Sequence, residues 1–358
     1  MVASYILAVP SLSQKYGFAK MNLWWVATVS EIAMMPTDWL SMLYLISMYK
    51  CLDARDVIYG LRGIMQFSRG EELLLPDYSK PVLEVYRDCV EAAFRNFENA
   101  NVLLYLTGTE DPSWIPRWDV EMCFRNPFRF GRWVSWKPAG ESQSDWTIDT
   151  TRNVLSLKGI AIDSVKLAAC YNQRFFSNEV IRSTEGLHEM LQAWPRIMKI
   201  FDDSSPHGPL EPSVLVAAAV SLSFGLDERT DVADHDGSRL LYQFVAYLDI
   251  VLDRATFDKY IPSTLAHEAK DTDGQLFGKP VWDFQYPVSS IFVTTNGMIG
   301  CATCETVPGD LVFAPFGSTY PLVLRPEQDH FRVKGYSYVH GVMSGERRNS
   351  ETQTVEIH

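Results

Sequence analysis

The spacing of apolar residues changes along the chain, and that change limits the folds open to it. Val82, Val85, Tyr86, Cys89, Val90, Ala93, Phe94 and Phe97 recur at three-and-four intervals, which predicts a helix over 82–97 with one wide buried face. Beyond about Asp271 the apolar runs shorten and are cut by turn residues: Asn296-Gly297, Pro308-Gly309-Asp310, Phe316-Gly317-Ser318 and Glu327-Gln328-Asp329. Asn-Gly between Phe292–Thr295 and Met298–Gly300 predicts a tight hairpin, because both turn residues tolerate positive φ. A helical pattern followed by a β pattern implies an α+β fold, with a mainly helical body and a small antiparallel β module at its C-terminal end.

The remaining segments fill in this plan. Trp39–Tyr49 is apolar on nearly every side and reads as a buried helix, and Asp53–Leu61 places acids at a helix start, where they favour the positive end of the dipole. Leu75–Ser79 reads as a turn, with Ser79 as the N-cap of the 82–97 helix. Asn153–Val165 alternates around Leu155, Leu157, Ile160 and Ile162, the pattern of a strand pair or one bent strand. Ser183–Lys259 is mainly helical, interrupted by surface loops at 202–209 and 227–237. The expected division is a helical N-terminal segment over 1–70, a mainly helical body over 71–270 that includes a Trp-rich loop segment and a short β element, an antiparallel β module over 271–345 and a flexible polar tail over 346–358.

Composition narrows the function classes. The chain has 358 residues, 47% hydrophobic and 21% charged, enough apolar mass to bury a core. Its formal net charge of −12 repels phosphate backbones and anionic lipid, so nucleic acid and membrane surfaces are not expected partners. The apolar runs Val2–Pro10 and Met21–Tyr49 are too short or too broken, by Glu31, Pro36 and Asp38, to span a bilayer. Six scattered cysteines do not make a disulfide framework, which fits a reducing cytosol or nucleus, and a cytoplasmic protein is expected.

Several segments, in order, resemble the region that follows the HET domain in fungal heterokaryon-incompatibility proteins. Asp53-Ala54-Arg55-Asp56-Val57-Ile58-Tyr59-Gly60-Leu61 is similar to that family's DPRDKVYALLGL segment, and Pro76–Val82 with Glu84–Asp88 to its PDYSKSVEEVYRD segment. Pro112–Trp118 resembles its PSWVPDWS signature, and Leu155-x-Leu157-x-Gly159-x-x-x-Asp163 its LxLxGxxxD strand. Gly309–Val312, Pro321–Pro326 and Tyr338–Glu346 resemble its C-terminal β module. The SYxWG and IDxxCINQ segments of the HET domain itself are not found, so the resemblance carries over none of that domain's activity. What it implies is a non-catalytic intracellular scaffold or interaction protein with protein partners. A small-molecule enzyme of fungal specialised metabolism and a truncated relic are the alternatives.

The residues offer few chemical candidates. Trp114, Trp118, Trp133 and Trp136 sit among Pro, Gly and Arg; such a surface can hold a planar small-molecule ligand, or the indoles can simply fill a core. His340 beside Tyr338 could act as a base, and the pair Asp202-Asp203 could hold a divalent ion on a diphosphate, although the Ser-Ser-Pro that follows favours a turn. No metal or cofactor is expected: Cys301-x-x-Cys304 lacks a second ligand pair, and the acidic loop Asp231–Gly237 misplaces two calcium ligands. His267-Glu268-Ala269-Lys270-Asp271 ends in Asp where a zinc-binding helix needs His, and Gly274–Pro280 falls one residue short of a phosphate loop.

Overall fold

The computed structural model describes residues 39–47, 50–122, 134, 136–172, 184–202, 208–226, 237–278 and 288–358. They fall into two compact units: the first holds the described residues within 39–96 together with 117–122 and 134, the second 97–116 and the described residues from 136 to 358.

The first unit is built on helices α1 (Trp39–Ile46), α2 (Asp56–Tyr59) and α3 (Val82–Phe97, whose last residue belongs to the second unit). α3 takes the span its periodicity predicts and buries Val85, Tyr86, Cys89, Val90, Ala93 and Phe94. Its start differs from expectation. The Ser79 hydroxyl donates to Asp77 Oδ1 at 2.6 Å, and the Pro81 carbonyl accepts from Glu84 and Val85. Asp77 thus claims the hydroxyl for its own turn, and proline, whose φ is already helical, leads into the helix.

The second unit contains helices α4 (Thr184–Asp202), α5 (Pro212–Leu222), α6 (Ser238–Val251), α7 (Arg254–Tyr260) and α8 (Ser263–Glu268). Its strands are β1 (Trp146–Asp149), β2 (Val154–Asn172), β3 (Val288–Thr294), β4 (Ile299–Ala302), β5 (Leu311–Pro315), β6 (Leu322–Glu327), β7 (His330–Val339) and β8 (Thr352–Ile357). The predicted hairpin forms β3 and β4, with Gly297 at φ 81°.

The register closes these strands into a barrel. β2 pairs with β3 through Val165–Asn172 and with β5 through Gly159–Ser164; β3 continues to β4, β4 to β7, β7 to β6 and β6 back to β5. Irregularities at Val165/Leu167 and Ala161/Asp163 let the 19-residue β2 bend from one sheet segment into the other. Directly opposed residues share a face, so Ala168, Phe292, Gly300 and Val339 line up on one side, as do Val312, Val323 and Gly335. Together with Ile160, Ala302 and Ala314, the apolar members of these rows form one buried cluster that fills the interior. The opposite face carries Ile291, Cys301 and Tyr338, and helix α5 covers it, with Ser221 Oγ donating to the Ile299 carbonyl at 3.0 Å.

Two expectations are corrected. The body is not mainly helical: among the described residues the fold is mixed α and β, and the β structure is an eight-stranded, predominantly antiparallel sheet rather than a small C-terminal module. Its longest strand, β2, grows from the short β element expected at 153–165 and runs on to Asn172. Nor is the tail frayed, since β8 pairs with β2 from Leu155 to Ile160 and buries Val355 and Ile357. Backbone pairing with an existing strand holds a sequence whose polar side chains alone would not. No helix among the described residues is long and apolar enough to cross a membrane.

Candidate functional site

The side chains of the residues behind the family resemblance bind one another or the backbone. In the first unit, Arg55 Nε and Nη2 donate to Asp53 at 2.9 and 2.7 Å, while Nη1 donates to the carbonyls of Tyr78 and Lys80. Tyr78 Oη donates to Asp56 at 2.6 Å and Tyr59 Oη to the Asp77 carbonyl. The two motifs at 53–61 and 76–82 therefore grip each other, and Arg55's side chain and backbone N–H hold the Asp53 carboxyl down to about 2.

The second unit repeats this pattern. The Ser113 hydroxyl donates to the His358 carbonyl and accepts from the Val333 N–H, and Trp114 Nε1 donates to the Asn153 carbonyl at 2.9 Å, so Pro112-Ser113-Trp114 ties the β1–β2 turn to β7 and β8. Asp163 accepts from Thr295 Oγ1 and from the N–H groups of Asn296 and Ser164, pinning the Asn-Gly hairpin to β2. Its partial burial raises the carboxyl, but these hydrogen bonds outweigh that and leave it below its ordinary value. Gly159 lets β2 approach β5: a Cβ there would lie 2.3 Å from the Ala314 oxygen. Asp310 accepts both Nε and Nη2 of Arg325 at 2.9 Å, and the Val307 N–H as well, closing β5 onto β6.

The other candidates have these surroundings. Trp114 and Trp118 are completely buried, one in each unit; Trp136 is partly exposed and packs edge-on against Tyr338 at 5.7 Å. Trp133 and Asp203 lie outside the described residues, as does the acidic loop up to Asp236. Asp202 ends α4 in an ion pair with Lys259 at 3.1 Å. The backbone N–H of His340 donates to the Ile299 carbonyl. Although His340 is exposed, partial removal of its ring from water lowers its proton affinity against the opposing pull of Glu346. Cys301 lies on the face that meets α5, with Sγ 3.1 Å from Tyr171 Oη, whereas Cys304 belongs to the barrel interior. Burial pushes both thiols up to about 12. Among the described residues no three His, Cys, Asp or Glu side chains gather as a metal site.

One cavity went unforeseen. A half-open cleft of about 900 Å³ lies between α6, α7, α8 and the turn at 270–275. Val245, Phe257 and Ile261 form its apolar wall, and Asp249, Arg254, Asp258, His267, Lys270 and Asp273 are its ionisable residues. Gly274 permits this packing, since a Cβ there would sit 2.5 Å from the Tyr247 nitrogen of α6. In the sequence His267 and Lys270 belong only to an incomplete zinc motif. No local pattern reveals that three short helices turn them toward one cleft.

The comparisons bear on the barrel. No curated protein and no solved structure matches the chain. The model of the Het-6 beta-barrel domain matches residues 265–355, which hold β3 to β7 and most of β8. Over those residues the chain is similar to the Het-6 beta-barrel domain, which agrees with the resemblance of its C-terminal segments to fungal heterokaryon-incompatibility proteins.

Proposed function

We propose that the chain is a non-catalytic interaction module of the heterokaryon-incompatibility type, acting in the cytoplasm on a protein partner. The observation that carries this reading is the use of the motif residues: Arg55, Ser113, Asp163, Asp310 and Arg325 spend their hydrogen-bonding capacity on the fold. Reacting groups need free capacity directed at a substrate, and these side chains direct it at neighbouring strands and turns. A rigid, side-chain-filled barrel suits a platform that presents surfaces and loops. The test is to incubate the purified chain with a complex metabolite mixture and follow consumption by mass spectrometry. No turnover is expected; a product that disappears in His340→Ala or Asp202→Ala would refute the proposal.

The second reading, a small-molecule enzyme, is favoured by the cleft, which has the volume of a ligand pocket and an imidazole, His267, on its lining. The same experiment decides it, with His267→Ala as the further variant.

A further inference from the structure

The hairpin that joins β3 to β4 carries a reactive pair of residues that its structural role does not use. Asn296 is the one asparagine of the chain followed by glycine. We propose that Asn296 is a site of spontaneous covalent modification, deamidation to aspartate and isoaspartate, and that Asp163 governs its rate. This modification is independent of the interaction reading.

The reacting atoms are neighbours in sequence and open to water. Asn296 and Gly297 are both exposed, and among the described residues the Asn296 side-chain amide makes no hydrogen bond that would hold it away. Gly297 has no Cβ to crowd the approach of its nitrogen to that side chain, and the space where a Cβ would stand is empty out to 4 Å. In the reaction the Gly297 backbone nitrogen attacks Asn296 Cγ. A carbon–nitrogen bond forms to Gly297 and the bond to the side-chain nitrogen breaks. That nitrogen leaves as ammonia, taking up the proton that the Gly297 N–H gives up. Water then opens the cyclic imide: addition at the side-chain carbonyl yields aspartate, and addition at the main-chain carbonyl yields isoaspartate. Neither step needs an oxidant or a reductant.

The fold sets how often the attack can occur. The Gly297 N–H donates to the Thr294 carbonyl at 3.0 Å, so this turn bond must open before the nitrogen reacts. Asp163 on β2 holds the turn shut from outside: its carboxylate accepts from the Asn296 N–H at 2.8 Å and from Thr295 Oγ1. The Thr295 N–H adds a bond to the Ser164 carbonyl at 2.9 Å. The product undoes this clamp. A carboxylate at position 296 stands on the very residue whose N–H Asp163 accepts, and the two like charges repel. Isoaspartate also lengthens the main chain by a methylene inside the turn, where the Thr294 N–H donates to the Met298 carbonyl at 2.9 Å, and so disturbs the register of β3 on β4. Deamidation therefore frees the hairpin from β2 as the protein ages.

The test incubates the whole folded chain in mildly alkaline buffer, which favours loss of the backbone proton, and follows each asparagine by peptide mapping and mass spectrometry. Asn296 is expected to convert ahead of Asn349, an exposed asparagine followed by serine, and to yield both aspartate and isoaspartate. Conversion should be slower in the fold than in urea, where the clamp is gone. Asp163→Ala, shown by circular dichroism to be folded, should speed it by about tenfold or more, the usual contribution of a hydrogen bond to a charged group. Thr295→Val removes a single donor from the clamp and should speed it less, and it replaces the Asp163 variant if that chain does not fold. Asn296→Asp, the product made in advance, should unfold at a lower urea concentration than the parent. The proposal is overturned if Asn349 converts first, if the parent reacts as fast folded as in urea, if neither clamp variant outpaces the parent, or if Asn296→Asp unfolds at the parent's midpoint. None of these outcomes touches the test for turnover.

Discussion

Replacing Arg325 with Met isolates the energetics of the pair that closes β5 onto β6. The Asp310 side chain is 1% exposed and accepts two hydrogen bonds from Arg325, at 2.9 Å each, and one from the Val307 N–H. Methionine fills much of the arginine's volume but leaves a buried carboxylate with the Val307 N–H as its remaining donor from this set. Breaking a buried ion pair from one side typically costs ~3–5 kcal/mol. Arg325 is itself 26% exposed, so water reaches one end of the pair and the expected loss falls to about 2–4 kcal/mol. In a domain of this size each kcal/mol lowers Tm by about 2–4 °C, which gives a fall of roughly 5–15 °C. Urea titration followed by circular dichroism should show a lower midpoint at an unchanged slope. Asp310→Asn keeps an acceptor for Val307 while removing the charge, so the double variant should recover part of the loss. An Arg325→Met protein within about 0.5 kcal/mol of the parent, the scatter of ordinary surface changes, would refute the assignment of this pair as a structural clasp.

Three further outcomes follow from the same geometry. Gly159→Ala should destabilise by about 2–3 kcal/mol in urea, because the new Cβ meets backbone atoms of β5 that cannot rotate away. Asp163 has a lowered folded-state value, so it adds stability above its unfolded value of about 3.9 and loses it as pH falls through the folded value. The stability difference between parent and Asp163→Asn should therefore be constant from pH 5 to 7 and shrink below about pH 4 in pH-dependent unfolding curves. Iodoacetamide at pH 8 should modify the exposed Cys51 and Cys170 and spare Cys89, Cys301 and Cys304 until the protein unfolds; peptide mass mapping that finds Cys301 as reactive as Cys170 would contradict the buried placement.

Local patterns revealed what local forces determine. α3 and the Asn296-Gly297 hairpin were legible because helical spacing and positive-φ turn chemistry act within a few residues. β2 was recognisable as a strand, but nothing near Leu155 or Gly159 indicates that its partners lie at Ala314 and Val355. β8 carries no local signal, because only Val355 and Ile357 of its six residues are apolar and its order comes from the neighbour it joins. Motifs such as Asp310 and Arg325 could be matched in sequence, yet their mutual bond depends on the fold. The cleft was invisible for the same reason: His267 and Lys270 acquire a common cavity only when α7 and α8 turn beside α6.

The route by which β2 is stitched into the barrel has a consequence for biogenesis. Residues 154–172 leave the ribosome long before β5 at 311–315 or β8 at 352–357 exists to flank them. During that interval a long strand carries unsatisfied edges, a template for pairing with the wrong chain. Final closure must wait until β7 and β8 have been synthesised, more than 150 residues after β2 begins, and contacts this distant along the polypeptide make assembly slow. Early termination anywhere before 352 should thus yield sticky, chaperone-dependent material rather than a slightly shorter native protein.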